Sequence, residues 1–245
     1  MADYTINILH LFPDLLNLYG DRVNIQTLCK RLEWRGVDVN VKTVTSDDVV
    51  ELSDADIIVL GGGGDREMEL VCEKLMPIRD ELCEFVENGG TLLATCGGFE
   101  MIGKTFQVKD KTINGLGILE IFSENPSDGS RFTGNIAIKC EDIDEVVVGF
   151  ENHSGRMNIG DYKPLGKVVN GFGNDKTSGF EGLVYKNVTA TYMHGPLLPK
   201  NPWLCDKILL GALKHKYSDI ETLQPVDNGM EILANEYMTK RMGID

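Results

Sequence analysis

The sequence predicts an α/β fold built on a doubly wound, mainly parallel sheet, with antiparallel additions in the C-terminal half. Three observations predict it. Between residues 5 and 106, short apolar runs alternate with segments of helical periodicity, as parallel strands joined by helical crossovers do. Two of these runs end directly in glycine clusters, Gly61–Gly64 and Gly97–Gly98. Beyond Phe106, short alternating runs are punctuated by glycine turns, the pattern of a more antiparallel half of the same sheet.

The first strand is read at Thr5–Phe12, ended by Pro13-Asp14. After Gly20-Asp21, apolar positions at Val23, Leu28 and Leu32 predict a helix closed by Gly36. Val37–Val41 is a second strand. Asp56–Leu60 is a third, more completely apolar and so central. A long helical pattern runs from about Glu67 to Asn88, with Pro77 as its break. The fourth strand, Thr91–Thr95, feeds Cys96, and Phe99, Met101, Ile102 and Phe106 recur behind it at helical spacing. Further short strands are read at 131–139, 146–150, 166–169, 182–185 and 190–194. A helix follows Pro202, and a last amphipathic one covers about Glu231 to Met242. No repeat, low-complexity segment or linker interrupts the chain, so one domain, residues 1–245, is expected.

With 245 residues, 42% of them hydrophobic, the chain can bury a full core. A formal net charge of -14 argues against nucleic acid or anionic lipid as a direct partner. No basic leader precedes Tyr4 and no apolar run is long enough to span a bilayer, so a cytoplasmic protein without membrane insertion is expected. The cysteines at 29, 72, 83, 96, 140 and 205 lack metal-type spacing, and reduced thiols are the simplest reading. No metal site is expected.

Cys96 stands apart from the other five. It sits where strand, sharp turn and helix follow one another, and glycines on its C-terminal side leave it unshielded. A helix N-terminus beneath the thiol is expected to lower its pKa. A nucleophilic cysteine needs a base, and histidine suits neutral pH. Among His10, His153, His194 and His215, only His194 ends an apolar strand ahead of Gly-Pro and so projects at the same sheet edge. His10 reads as structural and His215 as a surface residue. The Gly61–Gly64 run does not fit a dinucleotide fingerprint. It reads either as a backbone-amide donor for an oxyanion, acting with Gly97, or as a plain flexible turn.

Together these residues resemble a known family. Thr-Cys-Gly-Gly-Phe at 95–99, the upstream glycine loop and Tyr-Met-His-Gly-Pro at 192–196 are similar to class I glutamine amidotransferase domains of the branch related to cobyric acid synthase. Leu-Tyr-Gly-Asp-Arg at 18–22, Gly-Gly-Gly-Gly-Asp-Arg-Glu at 61–67, Gly-Phe-Glu-Asn-His-Ser-Gly-Arg at 149–156 and the stretch 194–202 sharpen the likeness. They resemble the glutaminase subunits of bacterial lipid II isoglutaminyl synthases, which work with a Mur-ligase-like, ATP-using subunit. The resemblance spans roughly residues 5 to 205.

The resemblance implies a flavodoxin-like sheet, L-glutamine as substrate, and Cys96 as the nucleophile that forms a thioester. It implies His194 as the acid and base, the amides of Gly63 and Gly97 as oxyanion hole, and Arg131 as the clamp on the glutamine α-carboxylate. By itself Arg131 reads as a solvated arginine at a strand end. No cofactor is expected in this chain; ATP and Mg2+ belong to the partner of a heterodimer, through which the chain sits at the inner face of the membrane. Rival expectations are a glutaminase for another acceptor, such as a corrinoid, and a non-catalytic binding subunit.

Two departures stand out. Glu100 occupies the position four residues after the nucleophile where many relatives carry glutamine, so its substrate contacts are open. Pro196 replaces the acid that many relatives place two residues after the histidine. The third member of a triad is therefore expected from the partner in trans, with Glu151 and other acids of this chain as alternatives.

Overall fold

A computed structural model describes residues 4–244. Along the chain, β1 (Thr5–Leu11), α1 (Arg22–Glu33), β2 (Asp38–Val44) and β3 (Ile57–Leu60) come first. They are followed by α2 (Asp65–Leu75), α3 (Arg79–Glu87), β4 (Thr91–Thr95) and α4 (Gly97–Met101). Next come β5 (Thr105–Val108), β6 (Lys111–Asn114), β7 (Phe122–Glu124), β8 (Phe132–Lys139), β9 (Val146–His153) and β10 (Arg156–Asn158). The last are β11 (Gly166–Asn170), β12 (Phe180–Glu181), β13 (Leu183–Tyr185), β14 (Val188–Thr191), α5 (Pro202–Lys216) and α6 (Gly229–Arg241). The break at Pro77 is present as a short 3-10 turn, Met76–Ile78, between α2 and α3.

The main sheet has the order β13-β14-β4-β3-β1-β2. Its strands are parallel except β13, which pairs antiparallel with β14 at the edge. Side-chain alternation divides its core. Ile6, Ile8, Ile57, Val59 and Leu93 face one way, onto Leu28 and Leu32 of α1 and Leu204, Ile208 and Leu209 of α5. Leu9, Leu11, Ile58, Leu60, Leu92 and Ala94 face the other, with Val71 and Leu75 of α2 and Leu82 and Val86 of α3. Parallel strands buried on both faces read as continuous apolar runs, which is why β3 and β4 were legible.

The C-terminal half is built differently from the expectation. Only β13 and β14 join the main sheet. The other short strands form two separate four-stranded sheets, β10-β7-β5-β6 and β12-β11-β8-β9. Phe106 is not on a helix but in β5, because α4 ends after Met101 and the chain turns at once into a hairpin. Strand alternation shows that one face is buried; it does not say in which sheet.

Candidate active site

β4 delivers Cys96 to the carboxyl edge of the main sheet. Its N–H donates to the carbonyl of Thr191 at the end of β14 (2.7 Å), so the sheet ladder runs up to the nucleophile and stops. Cys96 has φ 52° and ψ -113°, outside the regions open to ordinary L-residues, and Gly97 begins α4 immediately behind it. Such strain persists only where the surroundings enforce it. Here they do. A Cβ on Gly98 would lie 2.3 Å from the Leu60 carbonyl oxygen, and one on Gly62 would lie 2.9 Å from the Cys96 Cβ. The glycine loop after β3 is thus pressed against the thiol, a placement that a mere flexible turn does not require.

A cavity of ≈100 Å³ opens over this thiol, and Cys96, Gly97, Gly63, Glu100 and Arg131 all line it. A larger hollow of ≈450 Å³ beside β1 and β2 is lined by residues such as Asn7, Asn40, Lys42 and Glu51, without thiol or imidazole. The chemistry therefore lies in the smaller one. Burial pushes the Cys96 thiol up to about 12, with the carboxyl groups of Glu100 and Asp21 adding to it. This corrects the expectation of a lowered pKa. The Gly97 amide does pull downward, but one helix N-terminus of a five-residue helix does not outweigh desolvation in an 8% exposed site. At neutral pH the Cys96 side chain is a thiol.

His194 lies three residues beyond β14, where its backbone pairs with Phe150 of β9. The ring is fully buried, edge-on to Tyr19 (4.3 Å between centroids) and near Phe150 (5.9 Å). Burial lowers its pKa to about 4, so it is a neutral imidazole at neutral pH. Neither ring nitrogen has a hydrogen-bond partner among the described residues. The structure thus places His194 behind the cavity lining, against Tyr19, without the expected contact to the thiol and without a carboxylate. Glu151 is not the missing acid: it accepts from the amides of Phe172 (2.8 Å) and Gly173 (3.0 Å) and faces His153 Nε2 at 3.7 Å. Of the other histidines, His153 lines the cavity, and two lie away from it. His10 is buried in β1, while His215 is exposed on α5.

Arg131 reaches the cavity from the start of β8 and is not simply solvated. Its Nε donates to Asn152 Oδ1 (3.0 Å), Nη1 to Ser154 Oγ (2.8 Å) and Nη2 to the Asn152 carbonyl (3.0 Å). Three of the five N–H groups of a guanidinium are thereby fixed, which leaves one on each terminal nitrogen for a bidentate anion. In the glycine loop, the Gly62 N–H is spent on Asp21 Oδ2 (2.9 Å). The Gly63 amide makes no hydrogen bond among the described residues.

Glu100 stood out in the sequence with its contacts open, whereas Ser123, Tyr192 and Glu181 around it escaped sequence reasoning. Glu100 accepts from Tyr192 Oη (2.8 Å) and Ser123 Oγ (2.9 Å), and burial pushes its carboxyl up. Tyr192 in turn stacks on His153, with ring centroids 3.7 Å apart and planes 5° apart. Behind them Glu181, fully buried and pushed up to about 7 by burial, accepts from Thr191 Oγ1 (2.6 Å) and the Tyr192 amide (2.7 Å). The sequence signals were the place of Glu100 four residues after Cys96, where many relatives carry glutamine, and that of Tyr192 in the stretch ending at Pro196. Contacts across sheets, such as Ser123 to Glu100, leave no local trace.

The cavity thus joins a strained thiol at a strand end, the unpaired Gly63 amide and an oriented guanidinium, the elements of a candidate amide-hydrolysing site. The chain belongs to the CobB/CobQ-like glutamine amidotransferase domain family, whose pattern matches residues 7–202. It is 39% identical to the lipid II isoglutaminyl synthase (glutamine-hydrolyzing) subunit GatD of Streptococcus pneumoniae, over 96% of this chain and 91% of that one. It is 38% identical to the GatD subunit of Staphylococcus aureus, over 97% and 96% respectively. A crystal structure of a glutamine amidotransferase superposes with a TM-score of 0.60 at 18% identity, covering 83% of this chain and 98% of that one. That likeness shows the shared fold. Among the described residues, no helix is long and apolar enough to cross a membrane.

Proposed function

We propose that this chain is the GatD-type glutaminase subunit of a lipid II isoglutaminyl synthase, a single domain that hydrolyses L-glutamine and passes ammonia to a MurT-like partner. The observation that carries the chemistry is the shared cavity: Cys96, the Gly63 and Gly97 amides and the half-free Arg131 fork all face one space. The full-length likeness to two GatD subunits supports the acceptor.

In the proposed sequence, Arg131 takes the α-carboxylate of glutamine and so fixes the side-chain amide over Cys96. The Cys96 proton passes to neutral His194 as Sγ bonds to the amide carbon, and the oxyanion forms against the Gly63 and Gly97 amides. The imidazolium then protonates the departing nitrogen, the C–N bond breaks, and ammonia and a thioester result. His194 next takes a proton from water, which attacks the thioester and frees glutamate and the thiol. A thiol held near 12 suits this order, because a buried thiolate is never left uncompensated. ATP and Mg2+ act on the partner, which activates the D-glutamate α-carboxylate of lipid II and amidates it. The partner also supplies the carboxylate that orients His194, since both imidazole nitrogens are unpartnered.

The test is ammonia transfer by the purified pair. Glutamine-dependent amidation of lipid II, lost in Cys96→Ala but restored by free ammonia, is the expected result. Glutamine hydrolysis with transfer only to a corrinoid acid would establish the rival acceptor, and no hydrolysis at all the binding-subunit reading.

A further inference from the structure

The turn between β1 and α1 contacts the glycine loop, His194 and Asn152, yet takes no part in the chemistry above. Leu18–Gly20 form a 3-10 turn in which Tyr19 is left-handed (φ 55°, ψ 25°), a conformation costly for any residue but glycine. Tyr19 is 47% exposed, so no demand of core packing explains the strain. Left-handed residues also occur in turns at Lys109, Lys176 and Lys186, so the strain alone assigns nothing; the contacts of Tyr19 distinguish it.

Three contacts leave this turn. Backbone comes first: the Leu18 N–H donates to the Gly62 carbonyl (3.2 Å), while Asp21 Oδ2 accepts from the Gly62 N–H (2.9 Å). In a trans peptide the C=O and N–H point in opposite directions. Pinning the Gly62 carbonyl toward Leu18 therefore turns the next N–H, that of Gly63, the other way. Second, the Tyr19 ring lies edge-on to the His194 ring at 4.3 Å and lines the cavity beside it. Third, the Tyr19 hydroxyl accepts from Asn152 Nδ2, and Asn152 Oδ1 accepts from both Arg131 Nε (3.0 Å) and Thr133 Oγ1 (3.2 Å). Those donors fix the amide's orientation, so Nδ2 has to face Tyr19.

We propose that Tyr19 is a positioning residue that couples glutamine binding to base alignment, its hydroxyl holding the Asn152–Arg131 clamp and its ring holding His194. The assignment rests on the glutaminase reading. It explains why an exposed tyrosine is kept in a strained turn: one side chain registers the α-carboxylate clamp against the catalytic histidine, and its backbone neighbours register the oxyanion amide.

The two functions of the side chain can be separated in the full chain assayed with its synthetase partner. Tyr19→Phe removes only the hydroxyl. It is expected to raise KM for glutamine about 5- to 10-fold, the loss of one bond supporting a charged group, with kcat within about twofold of wild type. Tyr19→Ala removes the ring as well and is expected to lower kcat roughly 10- to 100-fold on top of the same KM change. Tyr19→Leu, which keeps bulk without an aromatic edge, should share the kcat loss and serves if the alanine variant is unstable. An unchanged KM in Tyr19→Phe, or equal kcat in the phenylalanine, leucine and alanine variants, overturns the proposal. Wild-type turnover abolished by Cys96→Ala secures the underlying reading independently; an inactive wild-type complex would sink that reading instead.

Discussion

The two walls of the cavity are built on opposite principles. At the edge of the parallel sheet, in the cavity wall and in the layer directly behind it, several groups are strained or, among the described residues, unpartnered: Cys96 at φ 52°, both His194 nitrogens, the Gly63 amide and Asp21 Oδ1. On the side carried by the two smaller sheets, most polar groups are engaged: Arg131 ahead of β8 and Ser123 of β7 are each held by two or more hydrogen bonds and Glu151 of β9 by two amides, while His153 Nε2 has no partner among the described residues. Under the proposed function, the difference separates recognition from chemistry. A clamp works best when its rotamers are fixed before the ligand arrives, whereas groups that exchange protons must have lone pairs free for the transition state. Buried polar groups without partners are costly, so leaving several of them on one wall is an expense that function, not folding, explains.

The contrast can be broken most sharply at the strained wall. Cys96→Ala or Cys96→Ser should cut glutamate release by about 10⁴-fold or more, since the covalent path is lost. An electrophilic glutamine analogue should label Cys96 and spare the five other thiols, detected by mass spectrometry of peptides. Cys72, Cys140 and Cys205 are buried without a cavity nucleophile's setting, and burial raises the pKa of each.

Supplying the unpartnered imidazole comes next. Addition of the purified partner should raise kcat more than it changes KM, by up to roughly 10⁴-fold, the loss seen when an orienting carboxylate is removed from a serine-protease triad. Steady-state hydrolysis with and without the partner measures it. Full activity of the isolated chain would mean that His194 works without an acid.

The recognition wall should answer differently. Arg131→Ala should act mainly on KM, at a cost of about 2–5 kcal/mol for a desolvated charge pair. Lysine should rescue poorly, because it cannot reproduce the fork. Glutamine kinetics unchanged in Arg131→Ala would return this residue to a structural role.

The smallest effect tests the buried acids behind that wall. Glu181 is pushed up to about 7, so the folded state holds its proton at pH values where the unfolded chain has released it. A raised carboxyl contributes stability below its unfolded pKa and loses it as pH rises through the folded value. Glu181→Gln, which retains an oxygen acceptor for Thr191 and Tyr192, should therefore raise Tm relative to wild type at pH 8 and change it little at pH 4. The gain is a few kcal/mol at most. An equal Tm shift at both pH values would show that ionisation is not its source.

Much of this was legible in the sequence. The order of strands and helices through β4, the break at Pro77 and the helix after Pro202 follow from periodicity and from residues that local sterics constrain. Cys96 was legible for the same reason: a strand running into Cys-Gly-Gly leaves few backbone paths, and the strain sits inside three consecutive residues. Arg131 was placed by resemblance alone, since nothing near it in sequence distinguishes a clamp from a solvated arginine.

Tertiary structure decided the rest. Whether a thiol is raised or lowered depends on what water is excluded around it, and here residues of other elements exclude it, Gly62 against Cys96 and Met68 against Gly97. The helix N-terminus behind Cys96 is visible in the sequence; the desolvation that overrides it is not. Likewise, the short alternating strands announce half-buried faces, yet sheet membership is set by partners far along the chain, and two of the three sheets went unseparated. Local geometry is written in neighbouring residues. Solvation and charge at a buried site are sums over everything packed around it, which only the folded chain defines.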